Sequence, residues 1–191
     1  MSELVDPTHT STGLDNRKLG MWLFLATEIM LFSALIGAFL QMKARSPADA
    51  NQILNIPLTA VNTFVLIISS TTVVLGLAAI QDGDKKKLLR YLVFTLALGT
   101  AFLSIQVYEY TQLLQEGLTP SGSLFGGAFY TLTGFHGFHV FIGLLWCLWL
   151  IILARKGTFS HRNYARIEIF GLYWHFVDIV WILLFTIVYL L

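Results

Sequence analysis

Three carboxyl and three imidazole side chains lie inside long apolar runs of this 191-residue sequence: Glu28, Glu109 and Asp178, and His136, His139 and His175. An ionisable group in hydrocarbon is expensive unless it is neutralised or paired, so such residues face protein and serve a purpose. The chemistry open to the carboxyls is proton handling or structural hydrogen bonding. The imidazoles could ligate haem or a metal, or bond across helix contacts. Glu28 lies in Ala26-Thr27-Glu28-Ile29-Met30-Leu31-Phe32, about 12–14 Å from the nearer end of its run at helical rise. Water reaches such a depth with difficulty. A neutral carboxyl hydrogen-bonded to Thr27 or to a residue of another helix is the expectation, with proton handling as the alternative role. Thr95, Gly99, Phe102, Gln106 and Glu109 follow helical spacing and define a face that should pack against protein. Glu109, close to the outer interface, reads as a hydrogen-bonding group rather than a catalytic carboxylate.

His136 and His139 stand at i, i+3 in Thr131-Leu132-Thr133-Gly134-Phe135-His136-Gly137-Phe138-His139-Val140-Phe141-Ile142-Gly143, whose glycines imply close backbone approach. Glu168, Gly171, His175 and Asp178 share another face, where Asp178 is spaced to hold the His175 ring. Two histidines one turn apart cannot bind opposite faces of one haem. His175, roughly 12 Å from its span's start, and His136, in the far half of its own, differ in depth. The three imidazoles are therefore expected to bond within helix contacts or to lipid head groups, and this chain is expected to hold no haem, metal or catalytic residue. The single cysteine, Cys147, excludes a disulfide framework, a Cys-based zinc site and an Fe–S cluster, and reads as a small buried hydrophobe. Asn62, Ser69, Thr72 and Gly76 form a small, polar stripe typical of close helix packing, favoured over an ion site at Ser69–Thr72.

The elements that must position these groups are membrane helices. The chain is 56% hydrophobic, 14% aromatic and only 12% charged, outside the range of soluble domains. Spans of about 20 apolar residues are predicted at 19–42, 56–80, 88–114, 124–154 and 167–191, as an all-α five-helix bundle forming one membrane domain over 19–191. Residues 1–18 read as a polar cytoplasmic leader. The first span is too long, and too charged with Glu28 inside it, for a cleavable signal peptide; neither a CaaX ending nor an N-terminal Met-Gly suggests a lipid anchor. With the N-terminus inside, the cytoplasmic segments hold Arg17, Lys18, Lys85, Lys86, Lys87, Arg90, Arg155, Lys156, Arg162 and Arg166, against Lys43 and Arg45 outside. That division puts the N-terminus in the cytoplasm and the C-terminus outside. Gln81–Lys87 reads as a solvated turn rather than an anionic-lipid site.

Five stretches, in order and covering nearly the whole chain after the leader, resemble subunit III of the haem–copper respiratory oxidases. Leu19-Gly20-Met21-Trp22-Leu23-Phe24-Leu25-Ala26-Thr27-Glu28-Ile29-Met30-Leu31-Phe32 is similar to the helix carrying the family's buried glutamate, which makes Glu28 its counterpart. Asn62-Thr63 with Ser69-Ser70, and Gln106-Val107-Tyr108-Glu109-Tyr110, resemble the next two helices. The most specific pieces are Thr133-Gly134-Phe135-His136-Gly137-Phe138-His139-Val140 and Trp174-His175-Phe176-Val177-Asp178-Ile179-Val180-Trp181. The resemblance implies an accessory subunit without haem or copper of its own. It would dock on catalytic subunit I, with subunit II in the same complex, bind phospholipid, and support oxygen access and proton uptake. The family's longer form has seven helices, of which the first two form one wall of a lipid-filled cleft. This chain has counterparts of the last five, the form typical of bacterial oxidases, so such a cleft forms here only where subunit I or another chain supplies that wall.

The resemblance therefore leads to a non-redox subunit of a cytochrome c oxidase, an oxidoreductase complex that translocates protons, in a bacterial cytoplasmic membrane. Membership of a larger respiratory supercomplex is compatible with it, and no nucleic acid is expected as a partner. The alternative is subunit III of a quinol oxidase, or the related accessory protein of nitric oxide reductase, because other subunits bind the electron donor. A proton-coupled transporter would also bury Glu28, Asp178 and histidines, but there is no inverted repeat or matching pair of broken helices. The prolines, Pro7, Pro47, Pro57 and Pro120, fall in the leader, in loops or at a span's start. A self-contained membrane enzyme lacks a nucleophile–base pair or a ligand set of known spacing.

Overall fold

The computed structural model describes residues 16–46, 53–160 and 163–191. It contains five helices, α1 (Asn16–Ala44), α2 (Ile56–Gln81), α3 (Lys85–Gln115), α4 (Leu124–Arg155) and α5 (Ala165–Phe185), and a π-helical turn, Thr186–Leu190. Each of the five is long and apolar enough to cross a membrane, as the five-span, all-α expectation requires. The leader up to residue 15, and Arg162, lie outside the described residues.

Several helices start earlier than the apolar runs do. α1 takes in Arg17 and Lys18, and α3 takes in Lys85, Lys86 and Lys87, because basic residues are good helix formers and can continue a helix beyond the hydrocarbon. Side chains cap three starts. Asn55 accepts from the Leu58 amide at 3.1 Å, Asp84 from the Lys87 amide at 3.0 Å, and Ser123 from the Gly126 amide at 2.9 Å. The bond from Lys87, supported by that residue's ammonium at 3.3 Å, holds the Asp84 carboxyl below the usual carboxylate range. α2, α3 and α4 are each followed by a glycine with positive φ: Gly83 at 82°, Gly117 at 92° and Gly157 at 74°. The amides that follow fold back onto the last helical turn, Asp84 to Ala79 O at 2.8 Å and Leu118 to Leu113 O at 2.9 Å. That is the hydrogen-bonded reversal for which a left-handed glycine is suited.

Helices α2, α3, α4 and α5 each pack on two neighbours and close a ring in that order, and α1 lies outside it against α4 and α5. The difference is visible residue by residue. α1 buries only Leu25, Phe32 and Phe39, a stripe repeating every seven positions, so a single seam of this helix touches protein. Trp174 fills the middle of the ring, its indole N–H donating to Ser69 Oγ on α2 at 3.0 Å. Two glycines make room for it. A Cβ on Gly143 would stand 2.6 Å from Trp174 Cζ3, and one on Gly99 would stand 2.7 Å from Leu144 Cδ2 and 2.9 Å from Trp174 Cη2.

Gly143→Ala should therefore overpack the ring and cost about 1–3 kcal/mol, read as a lower thermal midpoint of the detergent-solubilised protein. Gly37→Ala on α1, where nothing lies within 4 Å of the new Cβ, should leave the midpoint unchanged or raise it. Equal midpoints for the two variants would contradict this packing.

Candidate functional site

The seam residues Leu25 and Phe32 turn Glu28 toward α4, where one carboxylate oxygen lies 3.0 Å from His139 Nε2. The other ring nitrogen, Nδ1, is 2.7 Å from the Phe135 carbonyl. A carbonyl can only accept, so Nδ1 carries a proton. Nε2 then either accepts from a protonated Glu28 or, as part of an imidazolium, donates to a carboxylate. Both arrangements place one proton between the residues and leave the pair neutral, the condition under which a carboxyl is tolerated at this depth. Thr27 is not the partner of Glu28; its hydroxyl donates to Phe24 O at 2.6 Å. The Tyr173 hydroxyl donates to His139 O at 2.9 Å, and Phe24 stacks on the Tyr173 ring. Glu28, His139, Tyr173, Phe24 and Trp146 border a groove of about 450 Å³ between α1 and α4, and the pair's side chains retain 13% and 11% exposure.

On its other flank α1 borders α5 across a second groove of about 450 Å³, apolar except for Ser33 and His175. Asp178 does not hold the His175 ring directly. His175 Nδ1 meets Ser70 Oγ of α2 at 2.6 Å, and the Ser70 hydroxyl also reaches the Asp178 carboxyl. Ser70 stands between the two, because α2 packs against this face of α5 and interposes its own side chain. At the start of α5, Glu168 accepts from Lys18 of α1 at 2.6 Å. This ion pair and the Glu28–His139 bond are two polar clasps between α1 and the ring.

The remaining candidates lie in the ring's interior. Glu109, 3% exposed, accepts from Thr59 Oγ1 at 3.0 Å and lies within reach of the Tyr189 hydroxyl. It is close to the end of α3 yet enclosed by protein. His136 departs from the expectation of a hydrogen-bonded ring: neither nitrogen meets a partner among the described residues. Its neighbours are aromatic, with Trp181 stacked at 4.8 Å and Phe102 edge-on at 6.0 Å, because the helix face that brings His136 inward meets rings from α3 and α5. The three imidazoles thus point to three places: His139 to α1, His175 to α2, His136 to the core. Among the described residues no group of three or more His, Cys, Asp or Glu is gathered to hold a metal. Cys147 is fully buried.

Sequence reasoning missed Ser70, Tyr173 and Tyr189 as partners of the candidate groups. Ser70 carried a signal, being next to Ser69 on the polar stripe. Tyr189 carried none, because the π-helical turn, closed by Leu191 N to Thr186 O at 3.1 Å, changes the phase that an α-helical count assumes.

His139→Phe should strand the Glu28 carboxyl and weaken the docking of α1 by about 1–3 kcal/mol, read as faster amide exchange over Leu25–Phe32. Glu28→Gln, whose amide can still donate to Nε2, should keep those amides protected. Equal exchange in both variants would show that the pair does not hold the helix.

The family model for cytochrome c oxidase subunit III matches residues 2–191. Cytochrome c oxidase subunit 3 of Bacillus sp. (strain PS3) is 38% identical over 178 residues, 92% of this chain and 86% of the relative. The cytochrome bo(3) ubiquinol oxidase subunit 3 of Pseudomonas aeruginosa is 36% identical over 188 residues, 97% and 89% of the two chains. The quinol oxidase subunit 3 of Bacillus subtilis is 36% identical over 175 residues, 91% and 86%. With all five helices inside the match, this chain belongs to the cytochrome c oxidase subunit III family, the third subunits of the haem–copper oxidases.

Proposed function

We propose that this chain is the non-redox accessory subunit of a cytochrome c oxidase in a bacterial cytoplasmic membrane, docked on subunit I in a complex that also contains subunit II. The observation that carries the reading is the family match over residues 2–191, set beside a helix, α1, that is held along one seam and flanked by grooves. Haem and copper belong to the partner subunits, and this chain's role is supportive. The grooves beside α1 suit phospholipid acyl chains. Glu28, with His139, tunes proton uptake and oxygen supply from the edge of one groove, while Glu109, Asp178, His136 and His175 are structural. The ten-to-two division of Lys and Arg supports an N-terminus and residues 1–18 in the cytoplasm and a C-terminus outside.

A quinol oxidase is the second reading, favoured by relatives of that name at 36% identity beside a cytochrome c oxidase relative at 38%. The donor is bound by other subunits, so the discriminating features lie outside this chain.

The test is to tag the chain, extract it in mild detergent, and record haem spectra and subunit masses of what copurifies. Haem a features with two larger subunits are expected; haem b and o with a subunit II lacking copper would move the chain to the quinol branch. A colourless, solitary protein would contradict both. In the same preparation Glu28→Gln should leave the haem spectrum unchanged and alter sustained turnover, and loss of the haems would sink the supporting role given to Glu28.

A further inference from the structure

Besides Asp178 Oδ1 on α5 and Lys43 Nζ on α1, three side chains, each on a different helix of the ring, carry buried atoms that no described residue satisfies. They are Asn62 Oδ1 on α2, Gln106 Oε1 on α3, and both ring nitrogens of His136 on α4. Their other polar atoms are committed. Asn62 Nδ2 donates to Phe102 O at 3.1 Å, and Gln106 Nε2 donates to Thr133 O at 3.2 Å and to the Tyr110 hydroxyl oxygen at 3.3 Å. Those bonds orient both amides, so neither oxygen can turn elsewhere for a donor.

The unsatisfied atoms gather around one residue, Phe102. Asn62 holds its carbonyl, and its ring stands edge-on to His136 with centroids 6.0 Å apart. Gln106 lies one turn further along α3, its Oε1 3.1 Å from where a Cβ on Gly137 would stand, the residue next to His136. An added methyl would crowd that oxygen, so the glycine keeps it close to the α4 backbone. A neutral imidazole offers one N–H and one lone pair, and the two amide oxygens are acceptors. One donor and three acceptors form a set complementary to water, which donates twice and accepts twice. Native interiors seldom leave such atoms unpaired, and buried waters with two to four polar partners are the usual remedy.

We infer that the core of this bundle binds one or two ordered water molecules that bridge the His136 ring to the amide oxygens of Gln106 and Asn62. Trp181 closes the site over the imidazole, its own indole N–H spent on Thr63 Oγ1 at 2.9 Å. Phe32 of α1 closes it toward the Glu28–His139 pair, with its ring 6.5 Å from His136 and 5.2 Å from His139. The water is therefore internal, separated from the groove by an aromatic side chain.

A density map of the purified assembly, sharp enough to resolve ordered water elsewhere in the helices, tests this. Density within hydrogen-bonding distance of a His136 nitrogen and of Gln106 Oε1 is expected; none at that point would overturn the site. Stability provides a second measurement. Gln106→Met and His136→Phe should each lower the thermal midpoint by several degrees, and the double variant should fall no further than the worse single, because both lose the same bridge. Additive losses would mean that the residues share no ligand.

Discussion

Hydrocarbon offers nothing to a hydrogen-bond donor, and most of this fold follows from that constraint. A polar side chain in a spanning helix must find its partner on its own backbone, on another helix or on enclosed water. α2 shows the consequence most fully. Its Asn62 donates to Phe102 O, Ser69 accepts from the Trp174 indole, Ser70 meets His175, Thr63 accepts from the Trp181 indole, and Thr72 bonds Thr95. These bonds reach α3 and α5 alike, and Gln106 with Tyr110 ties α3 to Thr133 of α4. The ring of four is stitched across its helix contacts, and exposed hydroxyls such as Thr71, Thr100 and Ser104 turn back onto their own backbone.

α1 meets that constraint chiefly at Glu28, and its position differs accordingly. Its bonds to the ring, among them Glu28 on His139 and Lys18 on Glu168, accompany a single buried seam. Trp22, Leu23, Met30 and Ile29 remain exposed along it. Such a face suits lipid or another membrane subunit, which fits the proposed place of this family member beside a larger partner. One of the grooves flanking α1 then falls where the Glu28 carboxyl crosses to His139 of α4. Glu28 is thus also a fastening, separable from the proton role proposed for it because an amide preserves the bond to His139 and removes the acid.

Much of this was legible in the sequence, for a physical reason. Helical periodicity decides which residues share a face, so the stripes Thr95 to Glu109 and Asn62 to Gly76 could be read without coordinates. Periodicity says nothing about which helix a face meets, or at what rotation. Asp178 and His175 are one turn apart, yet Ser70 of α2 stands between them. His136 lies on an inward face, yet meets rings instead of a hydrogen-bond partner. Glu28 needed a partner from another helix, but the choice of His139 depended on where α1 docks. Tyr189 came within reach of Glu109 through a π-helical turn that leaves no mark in the residue pattern.

The central claim is that cross-helix hydrogen bonds, and not apolar packing alone, hold the ring closed. A double-mutant cycle on the α2–α5 pair, with Thr63→Val and Trp181→Phe measured for stability in bicelles, tests it most directly. The account predicts a coupling of about 0.6 kcal/mol or more between the two positions. Strict additivity would mean that the indole and hydroxyl lie side by side without holding the helices together.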